Sequence, residues 1–177
     1  KHCWHKEKDA RLYAGPWPVV AHPPCERWGR YWYGSPSSAT RLEKGNDGGC
    51  FESALQSVRR FGGVLEHPAG SSAWHHFGIP WPKPSGGWLQ TSCGGYTCRV
   101  DQGHYDHVSR KPTWLYVHGI EALPDLIWGK SNGKISVEKL SQKQRAHTPE
   151  AFAKLLVSIA NLAADGRFSK QKLILAR

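Results

Sequence analysis

Two short stretches hold the side chains best suited to chemistry, His22-Pro23-Pro24-Cys25 and Glu66-His67-Pro68. A cysteine behind two prolines sits on a backbone with little freedom, so its sulfur is held at small entropic cost. A thiol close to Arg27 or His22 would be partly thiolate, and so nucleophilic. Without such a neighbour Cys25 is an inert structural cysteine, the common fate of that residue. Glu66 follows the apolar pair Val64-Leu65, where burial would raise its pKa and keep a proton ready for donation. Its alternative is a structural carboxylate that satisfies loop amides or an arginine.

Both stretches stand at the ends of apolar runs. Trp17-Pro-Val-Val-Ala21 reads as a short buried strand stopped by His22-Pro23-Pro24. Residues 26–45 read as a loop, with Arg27, Trp28, Arg30, Tyr31, Trp32 and Tyr33 at its start. Asn46-Asp47 opens a helix whose Phe51, Ala54, Leu55, Val58 and Phe61 keep helical spacing, and Gly62-Gly63 ends it. Val64-Leu65 then starts a second strand that stops at Glu66-His67-Pro68. Strand, helix and strand form a βαβ unit with parallel strands. Parallel strands deliver their carboxyl ends to one edge of a sheet, where ligand sites of open α/β sheets lie. Cys25 and Glu66 are therefore expected to be neighbours in space.

The remainder reads more coarsely. Residues 69–90 are rich in Gly, Pro, Ser and Trp, with one helical turn near Ser72–Phe77. Tyr96–Asp101 and Thr113–Val117 read as strands joined by 102–112, and 121–147 as irregular and polar. Thr148-Pro149-Glu150 is a strong helix start, and Phe152, Leu155, Leu156, Ile159 and Leu162 line one face of a helix expected over 148–166, ending at Gly166. One α/β domain over 1–177 is expected, with a poorly defined segment at 1–16.

Composition narrows the class. Lys+Arg 24 against Asp+Glu 14 gives a formal charge of +10, a field that attracts polyanions, nucleic acid first among them. The bland alternative is a basic solvated surface without a specific partner. Hydrophobic residues make up only 39%, but Trp 9, Tyr 6 and Phe 5 supply large apolar areas, which argues against a disordered chain. Five cysteines without a secretory segment fit a reducing cytoplasm better than a disulfide scaffold, and no apolar stretch approaches membrane-spanning length. The lack of any Met leads us to expect an upstream segment.

At these residues the chain resembles the DNA cytosine-5 methyltransferases. Pro24-Cys25 after a short strand is similar to their Pro-Cys nucleophile motif, and Val64-Leu65-Glu66-His67-Pro68 to their Glu-Asn-Val motif, with His67 where Asn is usual. Val100-Asp101-Gln102, His107 and Arg110-Lys111-Pro112-Thr113-Trp114-Leu115-Tyr116-Val117 resemble their later pair of strands with a basic turn. Ser141–Leu156 resembles a Pro-containing helix near the end of that fold. Small phage-encoded proteins share the His-Pro-Pro-Cys, Leu-Glu-His-Pro and Arg-Lys-Pro-Thr-Trp-Leu-Tyr order, a likeness that brings no activity with it.

The resemblance implies a single Rossmann-like, methyltransferase-type open sheet, truncated at its cofactor-binding half. It implies that Cys25 adds to C6 of a flipped pyrimidine while Glu66 hydrogen-bonds the ring nitrogen, in a DNA-modifying transferase of the cytoplasm of a bacterial or phage-infected cell. Base and backbone contacts would come from His22, Pro24, Arg27, Trp28 and Arg30 in the first loop. His67, Pro68 and Ser71 would supply others after the second strand, and Gln102, Arg110 and Lys111 in the basic turn. S-adenosylmethionine is the cofactor of the family, but no Gly-x-Gly loop precedes Cys25, so the donor is left open and a second chain could supply that half.

Two other readings stand beside this one. The first is a non-catalytic nucleic-acid binder that keeps the base-recognition half of the fold. The second is a metal-dependent nuclease, for which Cys93, Cys98, His104 and His107 have zinc-ligand types at loose spacing, with His2-Cys3-x-His5 a terminal echo.

Overall fold

Asp47 starts the first helix and fixes the loop before it. Its carboxylate accepts the backbone N–H groups of Gly49 and Phe51 and the indole N–H of Trp28. In this computed structural model, which describes residues 8–34, 42–133, 135 and 139–175 (the side chains of 142 and 164–175 excepted), β1 is Val19–Ala21, α1 Cys50–Phe61 and β2 Gly63–Pro68. The N–H of Gly62 bonds the Val58 carbonyl and closes α1. Gly63 follows at a φ of 121°, and a Cβ there would collide with the amide and carbonyl of Val19. The Gly-Gly pair thus ends the helix and lets β1 lie against β2. They pair in parallel, Val20 opposite Val64 and Ala21 opposite Leu65, as the βαβ reading requires.

The sheet has five strands in the order β1-β2-β5-β4-β3, with β3 at Leu89–Gln90, β4 at Tyr96–Asp101 and β5 at Pro112–His118. Only β1 and β2 are a parallel pair; β5 runs antiparallel to both β2 and β4, and β3 to β4. Hence β1, β2 and β4 share one direction, and all three deliver their carboxyl ends to one rim. The chain is an α/β protein with one open, mixed sheet.

Alternation along the strands sorts the core into two layers. Val64, Val100, Leu115 and Val117 face α4 (Glu150–Leu175), whose Phe152, Leu156, Ile159 and Ala163 form a buried stripe at helical spacing. Leu65, Trp114 and Tyr116 face Phe51, Leu55 and Val58 of α1 and Trp74 of α2 (Ser72–His76).

The structure differs from the sequence reading in three places. β3 and α3 (Gln142–Ala146) were not expected; α3 rests on a capping box between Ser141 and Gln144. The last helix does not end at Gly166 but runs to Leu175, since one glycine costs only about 1 kcal/mol in a helix interior. Ahead of β1, Ala10–Leu12 form a 3-10 turn capped by Asp9. Among the described residues no helix is long and apolar enough to cross a membrane.

Candidate functional site

Register builds the site. One step beyond the Ala21–Leu65 pair stand His22 and Glu66, on the same face of the sheet as Val20 and Val64. Their side chains meet, His22 Nδ1 lying 2.9 Å from Glu66 Oε2. The other carboxylate oxygen, Oε1, accepts from Nε2 of Gln102 at 3.3 Å, and Gln102 also donates to Thr113 Oγ1 at 3.0 Å. Gln102 is fully buried just past the end of β4, and Thr113 is buried on β5. Three strand ends thus orient one carboxylate, whose side chain is 12% exposed beside a 41% exposed His22.

Cys25 lies at the solvent-facing lip of this rim. Its carbonyl accepts the N–H groups of Trp28 and Gly29, so the loop folds back on itself, and Ser72 ties the Trp28 carbonyl to α2. Partial desolvation raises the Cys25 thiol, and the Glu66 carboxylate raises it further. Lys111 opposes them. Lys111 is tied down: its ammonium donates to the His147 carbonyl at 2.9 Å, and partial burial lowers its pKa against the pull of Glu66 and Cys25. Thiol, carboxylate and ammonium therefore act on one another across the rim.

Asp101 frames the turn that carries Lys111. Burial alone would raise its carboxyl, but the backbone N–H groups of Gly103, Ser131 and Lys111 outweigh that and hold it below the usual range.

The family models, curated proteins and solved structures compared with this chain give no match. The site is therefore argued from its own geometry.

Several expected contacts are placed otherwise. His67 alternates to the opposite face from Glu66 and is 1% exposed, packed between Phe51 and Trp74. Its ring nitrogens make no hydrogen bond of good geometry, although the carbonyls of Pro23 and Pro24 lie beside the ring, and desolvation lowers its pKa to about 4. It is a neutral prop beneath the Cys25 loop. Trp28 is core as well, its indole bonded to Asp47 and its ring packed on Phe51 and Phe77. Ser71 is buried and caps α2 through the Ala73 N–H. Pro68 ends β2, and Pro24 stays exposed beside Cys25.

Arg27 donates to the Trp32 carbonyl, while Arg30 and Arg110 are exposed, Arg30 resting over the Tyr31 ring. The thiolate expected at Cys25 from Arg27 or His22 is disfavoured, because desolvation and then the Glu66 carboxylate raise the thiol while Glu66 pairs with His22.

Sequence reading missed Thr113, Asp101 and His147 as parts of this rim. Asp101 alone carried a signal, an acid at a strand end two residues before a glycine. The metal quartet is not assembled: Cys93 precedes β4 and His107 follows it, so a strand of about 20 Å separates them. Cys98 is buried in the core between them, with burial raising its thiol far up. Among the described residues no three His, Cys, Asp or Glu side chains converge. His2, Cys3 and His5 lie outside the described residues.

Proposed function

We propose that this protein modifies pyrimidine bases of DNA, with Cys25 adding to C6 of the base and Glu66 as the acid beside it. The observation that carries this reading is the electrostatic coupling of Cys25 and Glu66 at one rim, with both carboxylate oxygens held by His22 and Gln102. The pair starts the step with one negative charge. Passing the Cys25 proton to Glu66 keeps that charge and yields a thiolate nucleophile and a carboxylic acid donor together. Sulfur then bonds C6, the C5–C6 π electrons move into the C4–C5 bond, and the C4–N3 π electrons move onto N3, which takes the Glu66 proton. C5 becomes an enamine-like nucleophile. Lys111 offsets the negative charge of the pair throughout.

In this proposal the sheet is the catalytic half of a Rossmann-like methyltransferase fold. Support comes from β1, β2 and β4 ending at the rim that holds the pair. The chain ahead of β1, from residue 8, is a 3-10 turn and loop rather than a strand with a Gly-x-Gly turn, so these residues do not fit S-adenosylmethionine. No step is routed through it, and the electrophile is taken to arrive with a second chain. Exposed Arg30 and Arg110 would meet phosphates, and exposed Tyr31 and Tyr33 would stack on unpaired bases.

Exchange of the C5 hydrogen tests the addition without any donor. Incubated in D2O with single-stranded or duplex DNA containing cytosine, the protein is expected to introduce deuterium at C5, read by mass spectrometry. Cys25→Ser abolishes the exchange, and Glu66→Gln slows it by roughly 100-fold or more. No exchange on either DNA overturns the reading. The raised Cys25 thiol favours a second one, a non-catalytic DNA binder. Its mark is salt-sensitive binding that persists in Cys25→Ser and Glu66→Gln, with no exchange in any form.

A further inference from the structure

A ladder of three indoles leads from the core to solvent on the α1–α2 face of the sheet. Trp74 is fully buried, with its indole N–H on the Thr97 hydroxyl at 3.0 Å. Trp114 packs against it at 5.6 Å between ring centroids, and Trp81 packs against Trp114 at 5.7 Å. Both spacings suit aromatic pairs. Trp81 ends the ladder 61% exposed. That exposure is built in by the sequence Ile79-Pro80-Trp81-Pro82. Proline fixes its own φ and confines the residue before it to extended backbone, so the chain here has little freedom. Ile79 and Pro82 are both buried, and the Ile79 N–H bonds the Trp74 carbonyl at 2.8 Å. Trp81 is thus staked between two anchors, at the surface, with its ring backed by a second indole.

The ring borders an open hollow of about 670 Å3, walled also by His75, Gly78, Ile79, Pro80 and Ser92, a volume in the range of small-ligand sites. The segment that builds it carries one sign of charge. Residues 67–100, which supply every wall, include no Asp or Glu, while Lys83 and Arg99 are cationic. Lys83 is exposed two residues beyond Trp81, and Arg99 stands opposite Trp114 on β4 and shares its face. The hollow also adjoins the rim through α2. Ser72 at the start of that helix holds the Trp28 carbonyl of the loop after Cys25, and His75 and Gly78 wall the hollow at its other end. The helix between is only about 7.5 Å long.

We propose that this hollow is a stacking subsite for one unpaired base of a single-stranded nucleic acid, with the base on Trp81 and a neighbouring phosphate on Lys83. The inference rests on the DNA-binding part of the function proposed above and is independent of addition at Cys25. A base is a flat ring that continues the ladder past Trp81, and every base has a π face to offer. In a duplex those faces are already stacked, so the subsite takes unpaired bases.

The test is fluorescence anisotropy of a labelled oligothymidylate binding to the full chain, beside an abasic strand of the same length. Trp81→Ala is expected to weaken binding of oligothymidylate by about 5- to 150-fold, the worth of one base–aromatic stack, and Trp81→Phe by less. Circular dichroism and thermal unfolding check that both variants keep the fold. Neither substitution removes a charge, so the slope of log Kd against log salt stays as it was, whereas Lys83→Gln lowers it by about 0.7. The abasic strand keeps its phosphates and lacks the rings, so native protein and Trp81→Ala bind it alike. Equal affinity of folded Trp81→Ala and native protein for oligothymidylate overturns the inference, and leaves the reading above standing where C5 exchange persists. An equal loss on the abasic strand overturns it too, because Trp81 would then act through the fold. So does displacement of the oligonucleotide by a polyproline peptide that needs Trp81, which would assign the hollow to a protein partner. If the native chain binds neither single-stranded nor duplex DNA, this inference and the DNA reading fall together.

Discussion

His67 ties stability to pH through a single buried ring. Its folded pKa is lowered from 6.5 to about 4 by desolvation, and it stacks on Trp74 with the carbonyls of Pro23 and Pro24 alongside. A folded pKa below the unfolded one means that the unfolded chain binds the extra proton first. The stabilisation is whole above pH 6.5, falls as the pH drops from there toward 4, and is gone below. At about 1.4 kcal/mol per pH unit, the gap corresponds to roughly 3 kcal/mol. Replacing the ring by His67→Phe keeps the contacts to Phe51 and Trp74 and removes the titration. Urea unfolding followed by tryptophan fluorescence, at steps from pH 7.5 to 4, measures the loss in both proteins. The native chain is expected to lose roughly 3 kcal/mol more than the variant, since the other histidines and the carboxylates titrate alike in both. Parallel curves would refute the placement of His67 as a dry, neutral prop.

Four further outcomes follow from the geometry. Gly63→Ala forces a Cβ into the Val19 backbone at a left-handed φ, and is expected to cost about 4 kcal/mol or more, seen as lost soluble protein or a collapsed thermal transition. Asp47→Ala leaves the Trp28 indole and two helix-start amides without their acceptor, and is expected to cost about 2–3 kcal/mol in urea unfolding. Arg110→Gln is expected to lower the slope of log Kd against log salt for DNA by about one. Lys111→Gln should leave that slope alone and slow alkylation of Cys25, because its ammonium is spent on the His147 carbonyl and is the cation that opposes the rise of this thiol.

The sequence made the βαβ unit legible because its punctuation is chemical. Asp47 caps, Gly62 stops, and Gly63 admits a close strand, each with a local reason visible in the residue itself. Parallel pairing and the period of two placed His22 beside Glu66, whose charge reaches the Cys25 thiol three residues on. The same period puts His67 on the other face, so its adjacency in sequence to Glu66 misled. Trp28 misled in another way: an aromatic in a Gly- and Pro-rich loop looks like a stacking platform until its indole finds Asp47, 19 residues later. Nothing local announces that Lys111 turns toward the His147 carbonyl, 36 residues away.

The two outer cysteines show what decides thiol chemistry in this chain. Both are exposed outside the strands, and residue type and neighbouring sequence give little to choose between them. Cys25 has Arg27 two residues away, yet that guanidinium is spent on the Trp32 carbonyl, and the nearest strong influence is the Glu66 carboxylate from the adjoining strand. Cys93 has no cation near it in sequence; its cation is Arg59, 34 residues earlier on α1, acting through a phenol on β5. A resting thiol that stays protonated beside a carboxylate suits a step that moves the proton only when a base is in place. Cys25 follows the carboxyl end of β1 and Cys93 precedes the amino end of β4, so these strands, which run the same way, put the two thiols at opposite rims of the sheet.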